Sequence, residues 1–215
     1  MAVDGALIEF VYFLAITVLS LSIYLRTKQM YLFSHHRGIG YFRNAFLFFS
    51  LVYIFRLYLL LLPALQVILG PDFWTSLKTI GSFLVIYFSL LSILNLMSSF
   101  AWKRIKIFSD NVLNLSALFL SCIIFFIKVP LLLFVLGVIA VEFLILKGYD
   151  NYKSKGSPFS KILLVYTLLL FFWFFDLVPF IHDILSFELL VAGYLASVGI
   201  FVYLVYRVQK VFGPD

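Results

Sequence analysis

The chain has 215 residues, of which 64% are hydrophobic and 12% charged, with a formal net charge of +6. A soluble domain carries roughly 25% charged residues, so a chain this apolar takes lipid as most of its solvent. Seven spans of about 20 residues each fill most of the length and leave no room for a separate soluble domain. Nucleic acid is excluded as a partner, because the basic residues flank apolar runs instead of forming one patch.

The first apolar run covers residues 6–25. Asp4 precedes it, Glu9 lies just inside it, and Arg26 and Lys28 follow it. A secretory leader would begin with positive charge, so the run is predicted to be a retained helix that starts outside. His35, His36 and Arg37 then fall in a basic loop. Two adjacent histidines with no Cys or acidic pair at ligand spacing make a poor metal site, and the loop is read as solvated and lying against headgroups. Gly40, Tyr41, Phe42 and Arg43 mark an interfacial approach, with aromatic belt residues and a snorkelling arginine.

The second span is predicted over 45–69, ended by the Gly70-Pro71 breaker. The third covers 80–101, closed by Trp102 and then Lys103, Arg104 and Lys106. The stretch 112–146 is too long for one crossing, at roughly 50 Å against a ~30 Å hydrocarbon core. Lys128, Val129 and Pro130 interrupt it, and Pro130 removes a backbone donor and disfavours helix at Val129. Two spans are therefore predicted, 112–127 and 131–146. The sixth covers 162–181 and the seventh 188–206.

This division sorts the charges. Thirteen Lys and Arg fall in alternate gaps: Arg26, Lys28, Arg37, Arg43, Lys103, Arg104, Lys106, Lys147, Lys153, Lys155, Lys161, Arg207 and Lys210. Lys78 and Lys128 fall in the others, and Arg56 lies inside a span. By the positive-inside rule the chain is an all-α integral membrane protein. It is one polytopic domain over 1–215, a seven-transmembrane-helix bundle with its amino terminus outside and its carboxyl terminus cytoplasmic. It is expected in the cell (cytoplasmic) membrane as a multi-pass protein, in contact with the lipid bilayer. The runs are continuously apolar and lack the alternation of a transmembrane barrel. The segments 63–69 and 179–185 both begin with proline and echo each other weakly. A duplication of three helices would leave this pattern, and so would chance matching of apolar helices.

Arg56 is the strongest single signal, about eleven residues from either end of its span. An arginine there costs about 2.5–3.5 kcal/mol on insertion scales and demands company inside the bundle. Asp176, in the outer third of the sixth span, and Glu142, in the inner third of the fifth, are the candidate partners. The three read either as a transport pathway or as a structural ion pair. His182, Asp183 and Glu188 gather at the outer mouth, where a polar helix end in water explains them as well as a solute entrance does. Pro63 and Pro179 are candidate helix kinks. Ala192 with Ala196, and Gly193 with Ser197, are small residues four apart that let helix backbones approach closely, either within the bundle or in a homo-oligomer.

Enzymatic readings find no support. Walker, HExxH and Gly-x-Ser-x-Gly motifs are absent, paired intramembrane histidines for haem are missing, and the single cysteine, Cys122, sits in an apolar run as filler. No cofactor and no metal are expected. The leading expectation is a channel or carrier for an ion or small polar solute. A receptor-like sensor signalling to a separate partner is the alternative, and an accessory subunit of a larger membrane complex is the third.

Overall fold

The structure is a computed structural model that describes residues 2–101, 109–127, 135–140, 142–143, 145–146, 165, 167–169, 171–172 and 187–212. All the described regular structure is helical. It comprises α1 (Ala2–Ser34), α2 (Arg37–Leu69), α3 (Pro71–Ala101), α4 (Asp110–Ile127) and α5 (Phe187–Phe212), with further helical residues at 135–140, 142–143, 145–146, 165, 167–169 and 171–172. These five long helices are each apolar enough to cross a membrane. The protein is a multi-pass, all-α membrane protein.

The helices outrun the apolar windows in the sequence. α1 and α2 each hold 33 residues, about 50 Å at 1.5 Å per residue. Hydropathy marks the part of a helix that sits in oil. The backbone goes on hydrogen-bonding to itself through the interface, so helices continue past the basic residues at their ends. Hence the predicted loop around His35 shrinks to a two-residue turn, and α3 starts at Pro71, nine residues before its predicted span. α4 ends at Ile127, and Lys128, Val129 and Pro130 lie outside the described residues.

The two turns have distinct chemistry. At the first, His35 takes a left-handed φ of 48° and its N–H donates to the Tyr31 carbonyl at 2.9 Å. Glycine usually fills this closing position; histidine is among the few other residues that tolerate it. At the second, Gly70 alone separates α2 from α3, with φ 77° and ψ 159°, a region that only glycine occupies without strain. Pro71 then opens α3, where its missing N–H costs nothing.

Short links make α1, α2 and α3 antiparallel neighbours. α3 packs along α2 and α4, and α1 packs along α2 and α5. α5 runs parallel to α1: Glu9 and Tyr12 meet Tyr194, and Tyr12 meets Ser197 one turn further on. The inward face of α1 reads Tyr12, Phe13, Ile16, Ser20, Ile23 and Thr27, a helical stripe. α3 is instead buried continuously from Ser89 to Ile93, as befits a helix with neighbours on both sides. Gly81 makes the α2–α3 contact close, because an added Cβ would lie 2.8 Å from Leu59 and 2.9 Å from Tyr58.

Buried hydroxyls are satisfied locally. Ser20, Thr27, Ser89 and Ser98 donate to carbonyls one turn back on their own helices, and Asn95 Nδ2 donates to the Leu91 carbonyl. Without water in the bilayer, such back-bonding is the cheapest way to hide a donor. Ser92 differs, donating across to the Ala45 carbonyl of α2 at 2.9 Å.

The turn geometry sets an order of stability at position 35. His35→Gly should raise the thermal midpoint in mild detergent, and His35→Val should lower stability by about 1 kcal/mol, since left-handed geometry costs an ordinary residue about 1–2 kcal/mol. Gly70→Ala should cost about 1–3 kcal/mol for the same reason. Equal midpoints for the wild type and the two variants at position 35 would show that the turn carries no strain.

Candidate functional site

Arg56 lies near the middle of α2 and is half-buried. Its guanidinium carbon sits 5.0 Å from the centre of the Tyr53 ring and 6.0 Å from that of Phe13. Tyr53 is fully buried and lies three residues before Arg56, so helical spacing alone brings the two together. Phe13 comes from α1. A cation over a desolvated ring gains about 2 kcal/mol, comparable with the cost of inserting the arginine.

The rings around Arg56 form a wider cluster. Tyr12 stacks on Tyr194 of α5 with centroids 4.5 Å apart, and meets Tyr53 edge-on at 6.0 Å. The hydroxyls of Tyr12 and Ser197 are 3.0 Å apart, and the Tyr194 hydroxyl donates to Glu9 Oε1 at 3.2 Å. A cation, a carboxylate and three tyrosines from α1, α2 and α5 thus lie in one zone, with the tyrosines buried and Arg56 and Glu9 half-buried.

Phenylalanines close the bundle next to this zone. Phe49 stands seven residues before Arg56, about 10 Å along the helix, and stacks on Phe201 with centroids 5.8 Å apart and planes within 7°. Phe172 meets Phe201 at 4.8 Å and Phe49 at 5.5 Å. Beside Phe46 and Phe49 is a void of about 20 Å³, also lined by Ser92, Ala140 and Leu169. That is room for one water.

Several expected residues take other places. Asp176, His182, Asp183 and Pro179 lie outside the described residues. Glu142 is exposed on the helical stretch 142–143, and Glu188 is exposed in the first turn of α5, where a carboxylate suits the helix dipole. α2 continues as helix through Pro63. Gly193 and Ser197 are buried, Ser197 beside Tyr12 of α1, while Ala192 is exposed and Ala196 half-buried.

Sequence reasoning named Asp176 and Glu142 for Arg56, of which Asp176 lies outside the described residues, and passed over Tyr12, Tyr53 and Tyr194. Aromatic residues make up 20% of the chain, so no single tyrosine stands out. The useful signal was the spacing of Tyr53 and Arg56. The same device recurs: Arg43 lies over Tyr24 at 4.9 Å and Tyr31 at 5.1 Å, Arg207 over Tyr203 at 5.7 Å, and Lys78 over Trp74 at 5.0 Å.

No known protein family matches the chain, and no solved structure matches it. It is similar to an uncharacterized protein of Archaeoglobus fulgidus, 28% identical over 210 residues, which cover 94% of this chain and 91% of that protein.

The tyrosine contacts give a stability test. Tyr12→Phe and Ser197→Ala should each cost about 1 kcal/mol in mild detergent, the scale of one buried hydrogen bond. The double variant should cost no more than either alone, because both remove the same bond. Fully additive losses would show that the two hydroxyls do not act as a pair.

Proposed function

We propose that the protein is a membrane transport protein, a channel or carrier for an ion or small polar solute. In this reading it crosses the cytoplasmic membrane seven times, with its amino terminus outside and its carboxyl terminus inside. The parallel contact of α1 and α5 supports an odd number of crossings; a single helix over 112–146 would make the two antiparallel. The positive-inside charge pattern supports the orientation.

One observation carries the reading: Arg56 is held at mid-helix over the buried Tyr53 ring, next to the cluster of Tyr12, Tyr194 and Glu9. Intramembrane charges commonly mark pathways. The Phe49, Phe172 and Phe201 layer lies toward the α1–α2 turn and serves as the closed gate. A solute would exchange its hydration for the tyrosine hydroxyls and Arg56, with access controlled by rotation of Phe201 or Phe49. Asp176 and Glu142 remain proposed contributors to the same pathway, and His182, Asp183 and Glu188 to its outer mouth.

Proteoliposomes holding the full chain test this with a panel of ions and small polar solutes. Arg56→Leu should lower flux by about tenfold or more, a rise of at least about 1.4 kcal/mol in the barrier, with the thermal midpoint nearly unchanged in Arg56→Lys. Phe49→Ala should raise passive leak. If the wild-type chain passes nothing across the panel and Arg56→Leu merely fails to fold, the protein is not a transporter.

A further inference from the structure

A second polar site lies at the other end of α2, far from Arg56. The last turns of α1, the first two turns of α2 and the start of α4 border an open cavity of about 380 Å³, with Arg37 and Asp110 exposed at its edge. Its charged members are Arg37 and Asp110, and its walls carry Tyr31, Tyr41 and Asn44. The volume is at the lower end of small-ligand pockets, which run from about 300 to 1,000 Å³.

The charges are set apart in function by what surrounds them. The Tyr41 hydroxyl donates to the Asp110 carboxylate, which orients one carboxylate oxygen and leaves lone pairs for a second donor. Arg37 opens α2, whose first turn contains no acid. Guanidinium and helix dipole therefore act together in favour of an anionic oxygen group. A bare anion would meet repulsion from Asp110, and a simple cation would meet it from Arg37. The cavity suits a molecule that carries both signs a few ångströms apart.

Tyr31 narrows the choice of cation. Quaternary ammonium groups are recognised through open aromatic faces. Tyr31 is already occupied, with Arg43 stacked on it at 5.1 Å and Gly40 so close that a Cβ there would lie 2.8 Å from the ring. Asp110 rewards a donor N–H instead. Phe33 and Leu32, 89% and 54% exposed on the adjoining turn of α1, place the cavity beside lipid-facing surface at a helix end.

We propose that this cavity binds a phosphate ester carrying a primary amine, with the phosphoryl oxygens on Arg37 and the ammonium on Asp110. An ethanolamine phospholipid headgroup and a free soluble ester share that chemistry. The proposal does not rest on the transport reading.

The test uses the full chain in mild detergent, exchanged into equal mixtures of ethanolamine, choline and glycerol phospholipids. Retained lipid is counted by native mass spectrometry. Ethanolamine lipid should be retained about tenfold over the other two, the scale of one charge-assisted hydrogen bond. Asp110→Asn should erase the preference over glycerol lipid, and Arg37→Gln should lower retention of all three. Glycerophosphoethanolamine added without lipid separates the sources: a raised thermal midpoint equal to that given by the lipid identifies a soluble ligand, and a smaller or absent rise identifies the headgroup. Equal retention of the three lipids with no thermal response to the soluble ester would overturn the proposal. So would variants that fold and behave as the wild type. Should a variant not fold, the wild-type preference decides alone.

Discussion

The cost of a cation in oil, and its relief by aromatic faces, organises this bundle. Arg56 lies over Tyr53 and Phe13, Arg43 over Tyr24 and Tyr31, Arg207 over Tyr203, and Lys78 over Trp74. A chain with ten Asp and Glu residues but 27 Phe and 13 Tyr has far more rings than carboxylates to offer. Tyrosine does more than phenylalanine here, since its hydroxyl can extend the contact to Ser197 or Glu9.

That chemistry ties α1, α2 and α5 together more firmly than apolar packing would. In lipid, helices have no hydrophobic reason to prefer each other over acyl chains, so association depends on close packing and polar contacts. Close packing comes from Gly81 between α2 and α3, and from Gly40 beneath Tyr31. Polar contact comes from Tyr12 with Ser197, Tyr194 with Glu9, and Ser92 with the Ala45 carbonyl. The buried hydroxyls of Ser20, Thr27, Ser89 and Ser98 turn back on their own helices and add little between neighbours.

Along α2 the polar and apolar zones alternate. Arg37, Tyr41 and Asn44 border the open cavity near the first turn, Phe46 and Phe49 belong to the aromatic layer, and Tyr53 and Arg56 form the inner polar cluster. One helix thus contributes to both polar zones and to the aromatic layer between them, with Arg37, Tyr41 and Asn44 on one face and Phe46, Phe49, Tyr53 and Arg56 on another.

The sequence by itself determined that this is an all-helical membrane protein, because long apolar runs edged with Arg and Lys have one stable solution in a bilayer, with every backbone group bonded internally. It also located the break at Gly70-Pro71 and singled out Arg56, since a charge amid apolar residues is conspicuous. Helix ends were less legible, because hydropathy reports where oil stops and the backbone continues beyond it, to Ser34 in α1 and from Pro71 in α3. The company Arg56 keeps was decided only by the tertiary structure. Phe13, Tyr12 and Tyr194 lie on other helices, and which of many identical rings meets a given cation depends on the rotation and height of each helix against its neighbours. The parallel seating of α5 on α1 and the placing of Arg37 and Asp110 at one cavity are of the same kind, joining residues far apart in the chain by packing that no local pattern encodes.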